Sequence, residues 1–224
     1  MKRNSAKKGT VTGGERLPST LQILIYSVIH CVIYFTTNRI CLLGEWQPFY
    51  CRLDEIIPIV KWFVIPYCMW FPQIAGTLIW FFVRDYDSLR RFMKYIMIST
   101  IPVYFVFIFF PTCMPLRPSA VEGEDVLSIL LNLIFAADNS NNIFPSLHVI
   151  WSVGSLIALW NDSLLSRHSA KTAATILTTL VCVSTFMIKQ HSILDTIGAI
   201  PFCLLGWFFT YRDAALRSAT VSSD

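Results

Sequence analysis

The sequence predicts an all-α polytopic membrane protein, a six-transmembrane-helix bundle with a short extra helix in the loop between spans three and four. Three observations predict it. Hydrophobic residues make up 54% of the 224 positions and charged residues only 14%, whereas a soluble domain carries nearer a quarter charged residues. The apolar residues fall into six runs, most of them near the ~20 residues that a helix needs to cross the hydrocarbon core, and mean hydropathy is +0.56. Lysines and arginines lie between the runs with a bias that alternates from one side to the other.

The first 18 residues are basic and polar, with Lys2, Arg3, Lys7, Lys8 and Arg16 against Glu15 alone. So little apolar surface reads as a disordered cytoplasmic arm. The first span runs from about Leu21 to Leu42. Its basic flank resembles a signal peptide, but the run is full-length and shows no clear small-residue cleavage site, so it reads as an uncleaved span. The second, Ile56 to Val83, carries Pro58, Pro66 and Pro72 and is expected to tilt or kink. The third is Tyr95 to Met114. The fourth, near Leu147 to Trp160, is short for a span on its own. The fifth is Ala173 to Ile188 and the sixth Ile193 to Tyr211. The membrane domain then covers 19–212, and 213–224 is a flexible cytoplasmic tail.

Between spans three and four, VLSILLNLIFAA is too short to cross. Ser119 and Glu122 suit a capping box for a helix starting there. Packing of this helix on the bundle is favoured over an interfacial helix that admits a lipid tail. Thirteen of the eighteen basic residues fall on the side of the two termini, and Arg39, Arg52, Lys61, Arg117 and Lys189 on the other. Both termini therefore read as cytoplasmic. Asn161-Asp162-Ser163 matches a glycosylation acceptor on that side and is expected to be unmodified. The seven cysteines show no metal-site spacing. Cys41, Cys51 and Cys113 lie toward the opposite face, where a Cys41–Cys51 bridge requires oxidising conditions. The net charge of +4 is unevenly placed and informs on topology, not on a nucleic-acid partner.

Ionisable residues beside membrane spans mark function by default. Arg117, Ser146, His148, Ser184, Lys189, His191 and Asp195 all fall at the non-cytoplasmic ends of spans three to six. His191 and Asp195 are four apart and share a helical face. A carboxylate bonded to one imidazole nitrogen fixes the tautomer and frees the other nitrogen as base or nucleophile. Pro145 at a helix entrance places Ser146 and His148 near free backbone N–H groups, which favour an anion. Arg117 suits either a snorkelling role or a bidentate hold on phosphate oxygens. Lys189 suits either an interface anchor or a phosphate ligand.

Together these residues resemble the type 2 phosphatidic acid phosphatase (lipid phosphate phosphatase) superfamily, whose patterns are K-x6-R-P, P-S-G-H and S-R-x5-H-x3-D. This chain has Arg117-Pro118, Pro145-Ser146-Leu147-His148 and Ser184-Thr185-x5-His191-x3-Asp195, in the same order and spacing, over roughly residues 50 to 210. Phe110, Leu147 and Thr185 stand where the patterns have lysine, glycine and arginine. FPSLH with KQHSILD is more similar to the inositol phosphorylceramide synthase-like branch. The resemblance implies an enzyme acting on a lipid phosphate in the membrane without metal or other cofactor. His191 is the implied nucleophile that forms a phosphohistidine, Asp195 orients it, and His148 is acid and then base. Arg117, Lys189, Ser146 and Ser184 are the implied phosphate-binding residues. Hydrolysis is the first expectation. Transfer of the headgroup to an acceptor lipid and a non-catalytic lipid-binding or transport role are the alternatives.

Overall fold

A computed structural model describes residues 19–39, 45–165 and 167–212. The basic arm, Cys41 and the tail beyond Arg212 lie outside the described residues. The chain is a bundle of apolar helices, and five stretches are long and apolar enough to cross a membrane: Thr20–Thr37, Lys61–Arg84, Tyr86–Phe109, His168–Met187 and Ile193–Thr210. It is an integral membrane protein.

Helix α1 (Ser19–Arg39) packs chiefly on α5 and leaves much of its apolar surface exposed, including Leu24, Val32 and Phe35. A short turn, α2 (Arg52–Ile56), precedes the second span. That span, expected to tilt or kink, is divided into successive short pieces, with Pro58 just before them and Pro66 and Pro72 inside. A 3-10 turn (Lys61–Phe63), α3 (Val64–Cys68) and α4 (Trp70–Arg84) follow one another. Pro72 has no N–H to offer the Cys68 carbonyl, while Met69 N–H to Ile65 O and Gln73 N–H to Met69 O carry the helical path across the break.

Helix α5 (Tyr86–Phe109) begins nine residues before the predicted third span and ends five before its predicted end. Asp85 caps it by accepting from the Asp87 and Ser88 N–H groups. Its basic first turns stay helical because Ser88, Leu89, Phe92 and Met93 are buried while Arg90, Arg91 and Lys94 stay exposed, an amphipathic stripe. It stops where Pro111 disfavours the helical conformation for Phe110, which sits at φ −135°, ψ 66°.

Helix α6 (Val126–Ala137) is capped by Asp125, which accepts from Leu127 and Ser128 N–H. The helix thus starts downstream of the expected Ser119/Glu122 box. Lys61 Nζ reaches Glu122 O, Asp125 and Ser128, and α6 buries Leu131 and Phe135 against α3. It packs on the bundle, as favoured.

Helix α7 (Leu147–Trp160) matches the predicted fourth span. At 14 residues it is about 21 Å long by the helical rise, short of the hydrocarbon thickness, yet it is central and packs on α4, α5, α8 and α10. Helix α8 (His168–Met187) leads through a turn to α9 (Ile193–Gly198) and α10 (Ile200–Thr210). Gly154 and Gly206 let α7 and α10 close on α5, since an added Cβ would come within 2.3 Å of the Tyr95 ring and 2.1 Å of Ser99 Oγ.

Two very short strands, β1 (Gln47–Pro48) and β2 (Thr112–Cys113), pair in parallel, and Cys113 bridges to Asn141. They tie three loops together over the carboxyl end of α8 and the amino ends of α7 and α9. Cys51 and Cys113 are free thiols.

Candidate active site

Three helix ends build the site. Ser146 is the N-cap of α7, so His148 emerges from its first turn. Ile188 is the C-cap of α8, and Lys189 takes a left-handed conformation (φ +61°). That reversal sends the Gln190 and His191 N–H groups back to the Thr185 carbonyl, both at 3.0 Å. Ser192 then caps α9 in a capping box, with Asp195 Oδ2 accepting the Ser192 N–H at 2.8 Å.

This turn brings the two imidazoles and the acid together. His191 Nδ1 lies 3.1 Å from Asp195 Oδ2 and 3.0 Å from the Ile143 carbonyl. His191 Nε2 lies 3.1 Å from His148 Nδ1. His148 Nε2 lies 3.0 Å from the Tyr67 hydroxyl, which Gln190 Nε2 approaches at 3.3 Å. One proton arrangement satisfies the whole chain. Both partners of His191 Nδ1 are acceptors, so Nδ1 carries the proton and Nε2 holds a lone pair. His148 Nδ1–H then donates to that lone pair, and Tyr67 O–H donates to His148 Nε2. Gln190 N–H donates to Tyr67.

Asp195 is fully buried and His191 is 7% exposed. Burial, helped by the Arg117 charge, pulls the His191 pKa down to about 4, against the opposing pull of Asp138 and the Ile143 carbonyl. The ring is therefore neutral near pH 7, with its Nε2 lone pair engaged by His148 Nδ1–H.

The other predicted residues are placed differently. Arg117 stands one side chain away. Its Nη1 bonds Gln190 Oε1 and donates to the Asp138 carbonyl at 2.7 Å, and the guanidinium lies over the Phe135 ring. The Lys189 ammonium bonds the Asp54 carbonyl instead of facing the imidazoles. Its pKa is lowered by burial, partly offset by Asp54. Ser184 Oγ bonds the Val181 carbonyl of its own helix at 2.6 Å. Ser146 N–H bonds the Asp195 carbonyl at 3.2 Å, and its buried Oγ has no hydrogen-bond partner among the described residues.

Sequence reading missed Asp54, Tyr67, Asp138 and Gln190. Asp54 is 1% exposed and accepts from Ser192 Oγ (2.6 Å), Ile193 N–H (3.0 Å) and Cys51 N–H (2.9 Å). Burial alone would raise its pKa, but these bonds hold the carboxyl below the usual carboxylate range. It fastens α2 to the start of α9. Tyr67 and Asp54 meet the site across 81 and 138 positions, so no local signal marks them. The Ser192-x-x-Asp195 capping box was also missed, though its signal is local: a serine followed three residues later by an acceptor side chain suits a helix start.

Between the imidazoles, Asn142, Ile143 and Asp138 lies a cavity of ≈ 30 Å³, room for a water or two. It adjoins a groove of ≈ 430 Å³ with largely apolar walls, and Tyr34, Asp138, Leu147 and His148 line both. A buried imidazole backed by a carboxylate, with a second imidazole against its other nitrogen, is an arrangement suited to group transfer. Among the described residues, no group of three or more His, Cys, Asp and Glu side chains is arranged to hold a metal ion.

Against known proteins, a sequence model described as the PAP2 superfamily matches residues 42–209. No curated protein and no solved structure matches the chain.

Proposed function

Because this chain belongs to the PAP2 superfamily, a family whose members act on phosphate esters, we propose that it is a membrane phosphatase that takes the phosphoryl group of a lipid phosphate onto His191. The observation that carries this reading is the 3.1 Å contact between His148 Nδ1 and His191 Nε2, with Asp195 bonded behind.

In the first step His191 Nε2 attacks phosphorus and a P–N bond forms as the bond to the lipid oxygen breaks. The lipid phosphate, entering as its monoanion, first passes its acidic proton to His148, and the imidazolium so formed gives that proton to the leaving alkoxide. Asp195 and the Ile143 carbonyl stabilise the positive charge that develops on the His191 ring. In the second step His148, now a base, takes a proton from water. The hydroxide attacks phosphorus, the P–N bond breaks, and phosphate leaves. The resting imidazoles touch, and the space between them holds little more than water, so a phosphate must part them. Arg117 exchanges its bonds to Gln190 and the Asp138 carbonyl for the phosphate oxygens. Charge stabilisation by such cations supplies most of the catalysis in phosphoryl transfer, and this route uses no metal ion or other cofactor.

The reading places the site on the non-cytoplasmic side. In support, the basic first turns of α5 and the site loops around Thr112 lie at opposite ends of a 24-residue helix, about 36 Å long by the helical rise. One observation favours a second reading, transfer to a lipid alcohol in place of water. Leu147, where the family pattern has glycine, lines both the polar cavity and the apolar groove and narrows the path for water between them.

Trapping tests both. Full-length protein in detergent, quenched during turnover of phosphate-labelled phosphatidic acid, should carry an acid-labile, base-stable label that His191→Ala abolishes. Label retained in His191→Ala overturns the mechanism. Product that forms only when diacylglycerol or ceramide is added, with no phosphate released, selects transfer over hydrolysis.

A further inference from the structure

The groove beside His148 is walled by apolar side chains, among them Phe35, Trp70, Phe71, Ile74, Leu78 and Trp151. It lies between α1 and α4 and continues into a second apolar cleft of ≈ 460 Å³, with His30, Cys31, Leu78 and Trp151 lining both. Away from the imidazole end, where Tyr67, Asp138 and His148 line it, the wall carries a further polar ring. His30, from α1, turns its ring to the Tyr104 hydroxyl, 3.0 Å from Nδ1 and 3.4 Å from Nε2. It also packs edge-on against Trp151, with ring centroids 5.0 Å apart.

Counting protons shows what this pair offers. A neutral imidazole carries one N–H and tyrosine one O–H. Their mutual bond uses one of the two, whichever tautomer is present. One donor always remains, and a donor inside an apolar groove is costly unless it meets an acceptor. The depth is also set. Trp151 lies three positions beyond His148 on α7, so His30 sits about one helical turn, ~5 Å, deeper in the membrane than the imidazole that would meet the leaving oxygen. In a diacyl lipid phosphate, the first group below the phosphate able to accept a hydrogen bond from such a donor is an ester carbonyl, a few bonds away.

We propose that the α1–α4 groove holds one chain of the lipid substrate and that His30, backed by Tyr104, donates a hydrogen bond to the carbonyl at the head of that chain. This makes His30 a specificity-determining residue and rests on the lipid phosphate reading above. The groove's occupant follows from its continuity with the site, since four residues line both. Helix α1 precedes residue 42, where the match to the PAP2 superfamily begins, so this recognition belongs to the chain's own first span.

The test compares diacyl phosphatidic acid with its dialkyl-ether analogue, which has the same phosphate and chain lengths and no carbonyl. Full-length wild type should turn over the diacyl lipid with a KM about fivefold lower, the scale of one neutral hydrogen bond, at similar kcat. His30→Leu should abolish that preference by raising the diacyl KM alone. His30→Gln, which keeps an N–H donor, should restore much of it. A His30→Leu that weakens both lipids equally, or neither, overturns the proposal. Binding keeps it separate from the catalytic reading. In His191→Ala protein, thermal stabilisation by the diacyl over the ether lipid should depend on His30 even if neither lipid is ever hydrolysed. No diacyl preference in either measurement also overturns it.

Discussion

Asp54→Asn gives the sharpest test of how the site is assembled. The carboxylate is buried and accepts three bonds, from Ser192 Oγ and Cys51 N–H on Oδ2 and from Ile193 N–H on Oδ1. Asparagine matches its size but has only one acceptor oxygen. If the amide oxygen takes the place of Oδ2, the new NH2 faces the Ile193 N–H, donor against donor. One charge-assisted bond is lost and one buried donor is left unmet. A hydrogen bond to a charged group is worth about 1.5–3 kcal/mol and an unmet buried donor costs about 1–3 kcal/mol, so the substitution should destabilise by roughly 3 kcal/mol. Asp54→Ala, which strips all three donors, should cost more. The damage is directed at the start of α9, and Ser192 and Asp195 there hold His191. Misplacing a nucleophile by ~1 Å costs on the order of a hundredfold in rate, so kcat should fall well beyond what the loss of folded protein explains. The assay pairs thermal unfolding in detergent with kcat measured at a temperature where the variant stays folded. The pH sign follows from the depressed pKa. The charged form is favoured on folding, so Asp54's contribution is present above the ordinary value of 3.8 and is lost as pH falls through its folded pKa. Asp54→Asn should flatten that acid limb. A variant that matches wild type in both melting temperature and kcat would refute the claim that Asp54 positions the catalytic turn.

Other substitutions test separate parts of the structure. The proposed mechanism needs a neutral His191, whose pKa is pulled down to about 4, so turnover should persist below pH 6 and fail only as pH nears that value. Its burial in the neutral form is favourable above the unfolded value near 6.5 and is lost as pH falls from there toward 4, so a melting temperature unchanged from pH 7 to 4.5 would contradict it. Tyr67→Phe should leave folding intact and lower kcat about tenfold or more by freeing His148 to rotate, and unchanged kcat would remove Tyr67 from the relay. Lys189→Met loses the ammonium bond to Asp54 and keeps the left-handed backbone, whereas Lys189→Gly also relieves the backbone by ~1 kcal/mol. Glycine should therefore be the more stable variant by unfolding in detergent. Gly206→Ala drives a Cβ against Ser99 and Tyr95 and should cost about 1–3 kcal/mol by overpacking. Gly76→Ala meets nothing within 4 Å and should melt at or slightly above wild type.

The site was legible in proportion to how local it is. His191 and Asp195 sit one helical turn apart. His148 follows a Pro-Ser entrance that marks the beginning of α7. Such features depend on backbone geometry over four or five residues. Two residues that were missed act from a distance. Tyr67 bonds His148 from the second span, and Asp54 clamps the start of α9 from α2. Lys189 and Arg117 show the converse. Their spacing suited a phosphate, but the nearest acceptors in space are the Asp54 carbonyl for one and Gln190 with the Asp138 carbonyl for the other.

By itself the sequence determined the membrane class, the number of apolar runs, the limits of α7 and the triad at one end of the bundle. Hydropathy and helical period act along the chain, so these properties need no partner. Only the tertiary structure decided where α5 starts and stops, that Asp125 and not Ser119 opens α6, that the two imidazoles touch, and that a largely apolar groove carrying the His30–Tyr104 pair runs up to them. Each of these depends on which buried donor meets which acceptor across separate helices. A burial penalty is settled by neighbours in space, and one chain read in order does not name them.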